Sequence, residues 1–165
     1  MWGDPGFAKS IIAMLRGDYE QAYALLQEMV ILANELGNRM GYLWTRVHLG
    51  HVALRAGDLA EAHTIFAETT ENFQKDGNTI GVVFALEGVA GLAVAVGKPE
   101  RAAHLIGWTD AHRERITNPR PFLEQSNVDQ IIAACITKMG EAAFSDAYAE
   151  GKKMSLDKAV VYALE

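Results

Sequence analysis

The sequence is short of several things, and each shortage excludes something. Of 165 residues only one is a cysteine, Cys135. A single cysteine cannot build an internal disulfide framework and gives no sign of an oxidising compartment. It lies in the apolar run Ile131-Ile132-Ala133-Ala134-Cys135-Ile136, the setting of a buried, inert thiol. Basic residues are scarce: 15 Lys and Arg stand against 21 Asp and Glu, for a net charge of −6. The basic patch of a nucleic-acid surface is therefore not expected. Long apolar runs are missing too. The best, Val82 to Val96, is interrupted by Glu87 and by glycines, so no membrane span is expected. The basic-then-apolar layout of a signal peptide is absent from the N-terminus. Half the residues are hydrophobic and 22% are charged, which suits one soluble domain with a sizeable core. The expected location is cytoplasmic.

Catalytic signatures are lacking as well. No G-x-x-x-x-G-K-[ST] stretch cradles a phosphate, and no Gly-x-Ser-x-Gly turn anchors a nucleophile. His48 and His51 share a helical face, but no Cys, Asp or Glu on that helix completes a zinc set. His63, His104 and His112 stand at no ligand spacing. Asp110 and Glu114 fall at i,i+4 on a helix that also carries Arg113 and Arg115, which reads as a solvated face. The expectation is a protein without catalysis, metal or cofactor.

What is present is a repeat. Gly17, Gly57 and Gly97 are 40 residues apart, as are Ala22, Ala62 and Ala102, and Leu26, Phe66 and Ile106. Asp18 matches Asp58, with Lys98 third, and Gly37-Asn38 matches Gly77-Asn78. The clearest copy runs from Leu49 to Phe66. Gly57 suits the left-handed conformation that ends a helix. Asp58 caps the next helix, with Glu61 placed to complete a capping box. Ala62 permits close approach, and Phe66 lies one turn further on the same face. A fixed period of this kind marks an internal repeat.

Leu49-Gly50 and Ala62-x3-Phe66 resemble the tetratricopeptide repeat, whose usual period is about 34 residues. Arg46 stands where that pattern has an aromatic, and Ala53 where it has tyrosine. The expected fold is all-α, a tetratricopeptide-like helical-hairpin solenoid of three repeats over residues 1–117. Helices are expected at 6–16, 18–36, 39–56, 58–75, 79–96 and 99–116, the last opening on Pro99. Asn118-Pro119-Arg120-Pro121 then breaks the pattern. Three further helices, at about 122–138, 141–150 and 156–164, would form a C-terminal capping segment over residues 118–165. Solenoids need such an end piece, and Phe144, Tyr148 and Leu156 are expected to turn inward.

The stretch Arg101-Ala102-Ala103-His104-Leu105-Ile106-Gly107 is followed by the proline break. Then come Gly140-Glu141-Ala142-Ala143-Phe144 through Glu150-Gly151, and Ser155-Leu156-Asp157-Lys158-Ala159. Together they resemble the C-terminal region of bacterial STAND-type signalling ATPases and LuxR-like or SARP-like transcriptional regulators. That resemblance implies a non-catalytic protein–protein interaction or sensory module, a fragment or lone descendant of the repeat array in such a protein. The alternative is a small-molecule effector domain that uses the concave cavity.

First helices of tetratricopeptide pairs line the concave face. On that register the candidate partner-binding groove comprises Trp44, Val47, His51 and Arg55 from the second unit and Phe84 and Glu87 from the third. Its mixture of apolar and few charged groups suits a protein or peptide partner. It suits nucleic acid poorly, because only Arg55 is reliably cationic. Trp44 and Phe84 have a simpler reading, packing between neighbouring helices, and Glu87 either reaches solvent or is held by a cation. Trp108 is expected to pack against the tail, and Trp2 lies at a frayed start. Phe7, Ile11 and Met14 have no preceding unit to cover them. A homodimer through this N-terminal edge, or an upstream repeat, would do so.

Overall fold

The computed structural model describes residues 5–165, and Trp2 lies outside them. Among the described residues there are nine α-helices and no strand. The chain divides between Gly77 and Asn78 into two compact units.

The first unit holds α1 (Pro5–Leu15), α2 (Tyr19–Glu35), α3 (Arg39–Ala56) and α4 (Leu59–Lys75), each packed against the next. The helix starts are capped as the polar residues dictate. Asp18, Asn38 and Asp58 accept hydrogen bonds from the N–H groups of Gln21, Gly41 and Glu61. Gly57 ends α3 at φ 84°, in the left-handed region. The expected capping box is only half made, because the Glu61 carboxylate accepts from the Tyr23 hydroxyl of α2 at 2.9 Å. Phe66 and Ile65 lie so close to Gly50 that a side chain there would collide with both. Phe7 is not an uncovered edge residue. It is buried in a core with Ala22, Leu26, Val30, Leu49, Val52 and Ile65. Ile11 and Met14 are half-buried, and the exposed large apolar side chains of α1 are Ile12 and Leu15.

The second unit holds α5 (Thr79–Ala95), α6 (Pro99–Arg115), α7 (Phe122–Met139), α8 (Glu141–Gly151) and α9 (Leu156–Leu164). α6 is central and packs on the other four. α5 is buried at every position from Gly81 to Ala90, so it has no amphipathic stripe. A comparison at the 40-residue period explains the difference between the pairs. Arg46 of α3 lies 3.2 Å from Glu68 of α4. The equivalent positions in the second unit are Leu86 and Trp108, both fully buried. An ionic pair in one hairpin is an apolar pair in the next.

The end of α6 departs from the repeat in one backbone detail. Thr117 has φ 53°, and no other described non-glycine residue has positive φ. Its counterparts are Gly37 and Gly77, at φ 64° and 67°. A β-branched residue is strained there. Asn118 follows, in the place of the cap residues Asn38 and Asn78, but Pro119 and Pro121 delay the next helix to Phe122.

α8 crosses α6 through two glycines. A side-chain carbon on Gly107 would strike the Tyr148 carbonyl, and one on Gly151 would strike the His104 carbonyl. The backbones are too close for large residues between them. Phe144 and Tyr148, expected inward, are therefore half-buried at the sides, while Ala147 and Gly151 fill the contact. Leu156 is also half-buried, and α9 buries Ala159, Val160 and Ala163 instead.

Candidate binding faces and a buried charge cluster

The six groove candidates are not equivalent in the structure. In the first unit, Val47 is fully buried, so its side chain is withdrawn from any binding face. Trp44 is half-buried with its ring 5.2 Å from Phe73. His51 is half-buried with its ring edge on Phe66 at 5.1 Å. Both rings thus lean on α4, within their own hairpin, and keep part of their surface in solvent. Arg55 is exposed in the last turn of α3. In the second unit, Phe84 and Glu87 are buried. This corrects their assignment as groove-lining side chains. Phe84 is enclosed because α5 is covered on nearly every side, and Glu87 is taken up by two arginines.

Three helices of the first unit share a polar ladder that sequence reasoning missed. Tyr42 of α3 donates to Glu68 of α4 at 3.0 Å, and Arg46 donates to the other oxygen of the same carboxylate. Arg46 also lies 4.0 Å from Glu61, which accepts from Tyr23 of α2. Arg46 in place of an aromatic was the available signal. A cation at a position that should face the hairpin needs an anion within reach.

The second unit contains a buried charge cluster. The Arg113 side chain is 7% exposed, Arg120 6% and Glu87 4%. Arg113 grips Glu87 with two parallel bonds, Nε to Oε1 at 2.8 Å and Nη2 to Oε2 at 3.0 Å. Paired geometry of this kind gives the strongest charge-assisted bonds. Arg120 adds Nε to Glu87 Oε1 at 2.7 Å and Nη2 to the Thr109 hydroxyl at 3.1 Å. Its Nη1 meets Asp110 Oδ1, while Asp110 Oδ2 accepts from Tyr148 at 2.7 Å. Arg113 also donates to the Asn118 side chain at 2.8 Å and to Glu124 at 3.0 Å. Asp110 and Arg113 are thus cluster members, not parts of a solvated face. Burial and the Asp110 partner push the Tyr148 hydroxyl well above its ordinary range. Removing Arg113 or Arg120 would leave a buried carboxylate without compensation, typically about 3–5 kcal/mol. The cluster ties the proline turn and the start of α7 to α5, α6 and α8. Of its charged members only Glu87 was marked in the sequence as needing a cationic partner, because it interrupts an apolar run; Asp110 and Arg113 read as a solvated face, and Arg120 as part of the proline break.

A cavity of about 740 Å³ opens elsewhere in the second unit. Lys98 at the N-cap of α6, Glu100 and Arg101 from α6, Asp146 and Glu150 from α8, and Tyr162 from α9 are among the residues that line it. The Arg101 guanidinium lies over the Tyr162 ring. Among the described residues no group of three or more His, Cys, Asp or Glu side chains is arranged to hold a metal. No described helix is long and apolar enough to cross a membrane.

The hairpins of α1–α4, the Gly50–Phe66 contact and the capped turns have a counterpart among known families. Residues 9–75 match the tetratricopeptide repeat. This tetratricopeptide region runs from α1 to the end of α4, inside the first unit. No curated protein and no solved structure matches the chain.

Proposed function

We propose that the chain is a non-catalytic protein-interaction or sensory module, part of a larger cytoplasmic bacterial signalling ATPase or transcriptional regulator. The observation that carries this reading is the tetratricopeptide region at residues 9–75, because such repeats generally bind protein partners. The larger context rests on the tail resemblance and goes further than the repeat itself. The partner is a protein or peptide, not nucleic acid or membrane. Trp44, His51 and Arg55 form the binding face, with an aromatic anchor and a cation at the open end of α3. Residues 118–165 act as the cap on α5 and α6. A homodimer through α1 would cover Ile12 and Leu15, which are 48% and 55% exposed.

The second reading, a small-molecule effector domain, is favoured by the cavity beside Arg101 and Tyr162. None of the six groove candidates lines it. One experiment separates the two. A peptide library and a metabolite panel are titrated against wild type, Trp44→Ala and Arg55→Glu, with circular dichroism to confirm folding. The interaction reading expects peptide binding that both variants weaken by roughly ten-fold. Equal peptide binding by all three proteins removes the proposed face, and metabolite binding that neither variant alters supports the cavity.

A further inference from the structure

The buried cluster does not balance. It holds three carboxylates, Glu87, Asp110 and Glu124, against two guanidiniums, Arg113 and Arg120. The carboxylates are unequally served. Glu87 takes two bonds from Arg113 and one from Arg120. Asp110 has Arg120 on one oxygen and the Tyr148 hydroxyl on the other. Glu124 has only Arg113 Nη2, and that nitrogen is shared with Glu87 at the same 3.0 Å. The excess negative charge therefore falls on Glu124. The Glu124 side chain is 20% exposed, and a mostly buried charge without full compensation is relieved by taking up a proton.

We propose that Glu124 is a proton-accepting member of the cluster, so that pH makes and loosens the tie between the start of α7 and Arg113. When Glu124 is neutral, two carboxylates face two guanidiniums and the cluster balances. When it is ionised, it competes with Glu87 for Arg113 and holds the first turn of α7 against α6. Pro121 supplies no side-chain cap to that turn. The groups that face Glu124 pull in opposite directions, and the net effect is upward. Burial raises its carboxyl above the ordinary glutamate range, Arg113 of α6 opposes this, and Glu87 of α5 raises it further. Arg120 of the proline turn lowers it. Beyond them stand Asp110 of α6 and Tyr148 of α8.

The linkage has an unusual sign. A carboxyl raised in the folded state holds its proton more tightly there than in the unfolded chain. Ionised Glu124 thus costs stability at neutral pH, and its contribution improves as pH falls through the folded value. An ordinary salt bridge would behave in the opposite way. The local tie weakens over the same range, because a neutral carboxyl attracts Arg113 less.

The test uses the full chain and Glu124→Gln. In wild type, the Glu124 carboxyl carbon followed by NMR should titrate above the ordinary glutamate range. Hydrogen exchange at residues 125–128, the first α7 amides with backbone acceptors, corrected for its intrinsic rate, should quicken several-fold as pH falls through that titration. Glu124→Gln should show the fast exchange on both sides of it and melt at or above wild type at neutral pH. Titration at or below the ordinary range in the wild-type protein would overturn the proposal. So would a Glu124→Gln protein that melts well below wild type, as loss of a stabilising ion pair would require.

Discussion

His48 is buried in the first unit with the edge of its ring against Phe7 at 4.8 Å. Burial, and next the neighbouring His51, push its imidazole down to about 3 from an ordinary value of 6.5. The unfolded chain therefore binds a proton that the folded unit refuses, and stability rises with pH. The contribution is intact above about pH 6.5 and is lost as pH falls from there toward 3, a loss of at most about 5 kcal/mol. His48→Leu should remove this part of the acid sensitivity. Urea midpoints at about pH 7 and about pH 4 would measure it, and an unchanged difference between the two midpoints in the variant would exclude His48 as the source. The sequence places His48 and His51 on one helical face, and it was the pairing that drew attention. What it does not carry is the partner of each ring, Phe7 for one and Phe66 for the other. Those contacts depend on which neighbouring helix each ring meets. Glu87 is the converse case. An acid inside an apolar run signals a cationic partner, but the arginines that supply it lie 26 and 33 residues away.

Elements were more legible than contacts. Period, caps and proline breaks fixed all the described helices to within two residues at their ends, because those signals are local. The crossing of α6 and α8 is not local. Arg101–Gly107 and Gly140–Gly151 stand out as motifs, yet nothing in either says that Gly107 meets Tyr148 or that Gly151 meets His104. Phe144 and Tyr148, expected to turn inward, are only half-buried for the same reason. Hydrophobicity marks a face, whereas the distance between the helix axes decides the size of residue that fits there. Gly107→Ala presses a methyl group on backbone, which no rotamer change can relieve. It should cost about 1–3 kcal/mol or more and speed hydrogen exchange throughout α8. A Gly107→Ala protein that melts with wild type would mean that the two helices have room to separate.

At the scale of the molecule, the repeat was legible because it recurs at a fixed spacing, and its departures were informative in their own right. Trp44, His51 and Arg55 keep part of their surface in solvent, while Val47, Phe84 and Glu87 do not. A helical register alone cannot separate these classes when a helix such as α5 is enclosed almost all round. The two units should also answer acid differently, with His48 weakening the first and Glu124 supporting the second. The exchange of Glu68 for Trp108 at equivalent positions makes this visible. It places a fully buried indole in the second unit, while the first has the half-exposed Trp44. Each unit thus carries its own fluorophore. A Trp2→Phe, Trp44→Phe protein leaves Trp108 as the sole emitter, and its blue-shifted emission should persist on acidification through the range where circular dichroism registers the loss of the first unit. A red shift of Trp108 in step with that loss would show that the two units unfold together. In the intended case, the replacement of one acidic residue by tryptophan gives the second unit an optical record of its own unfolding.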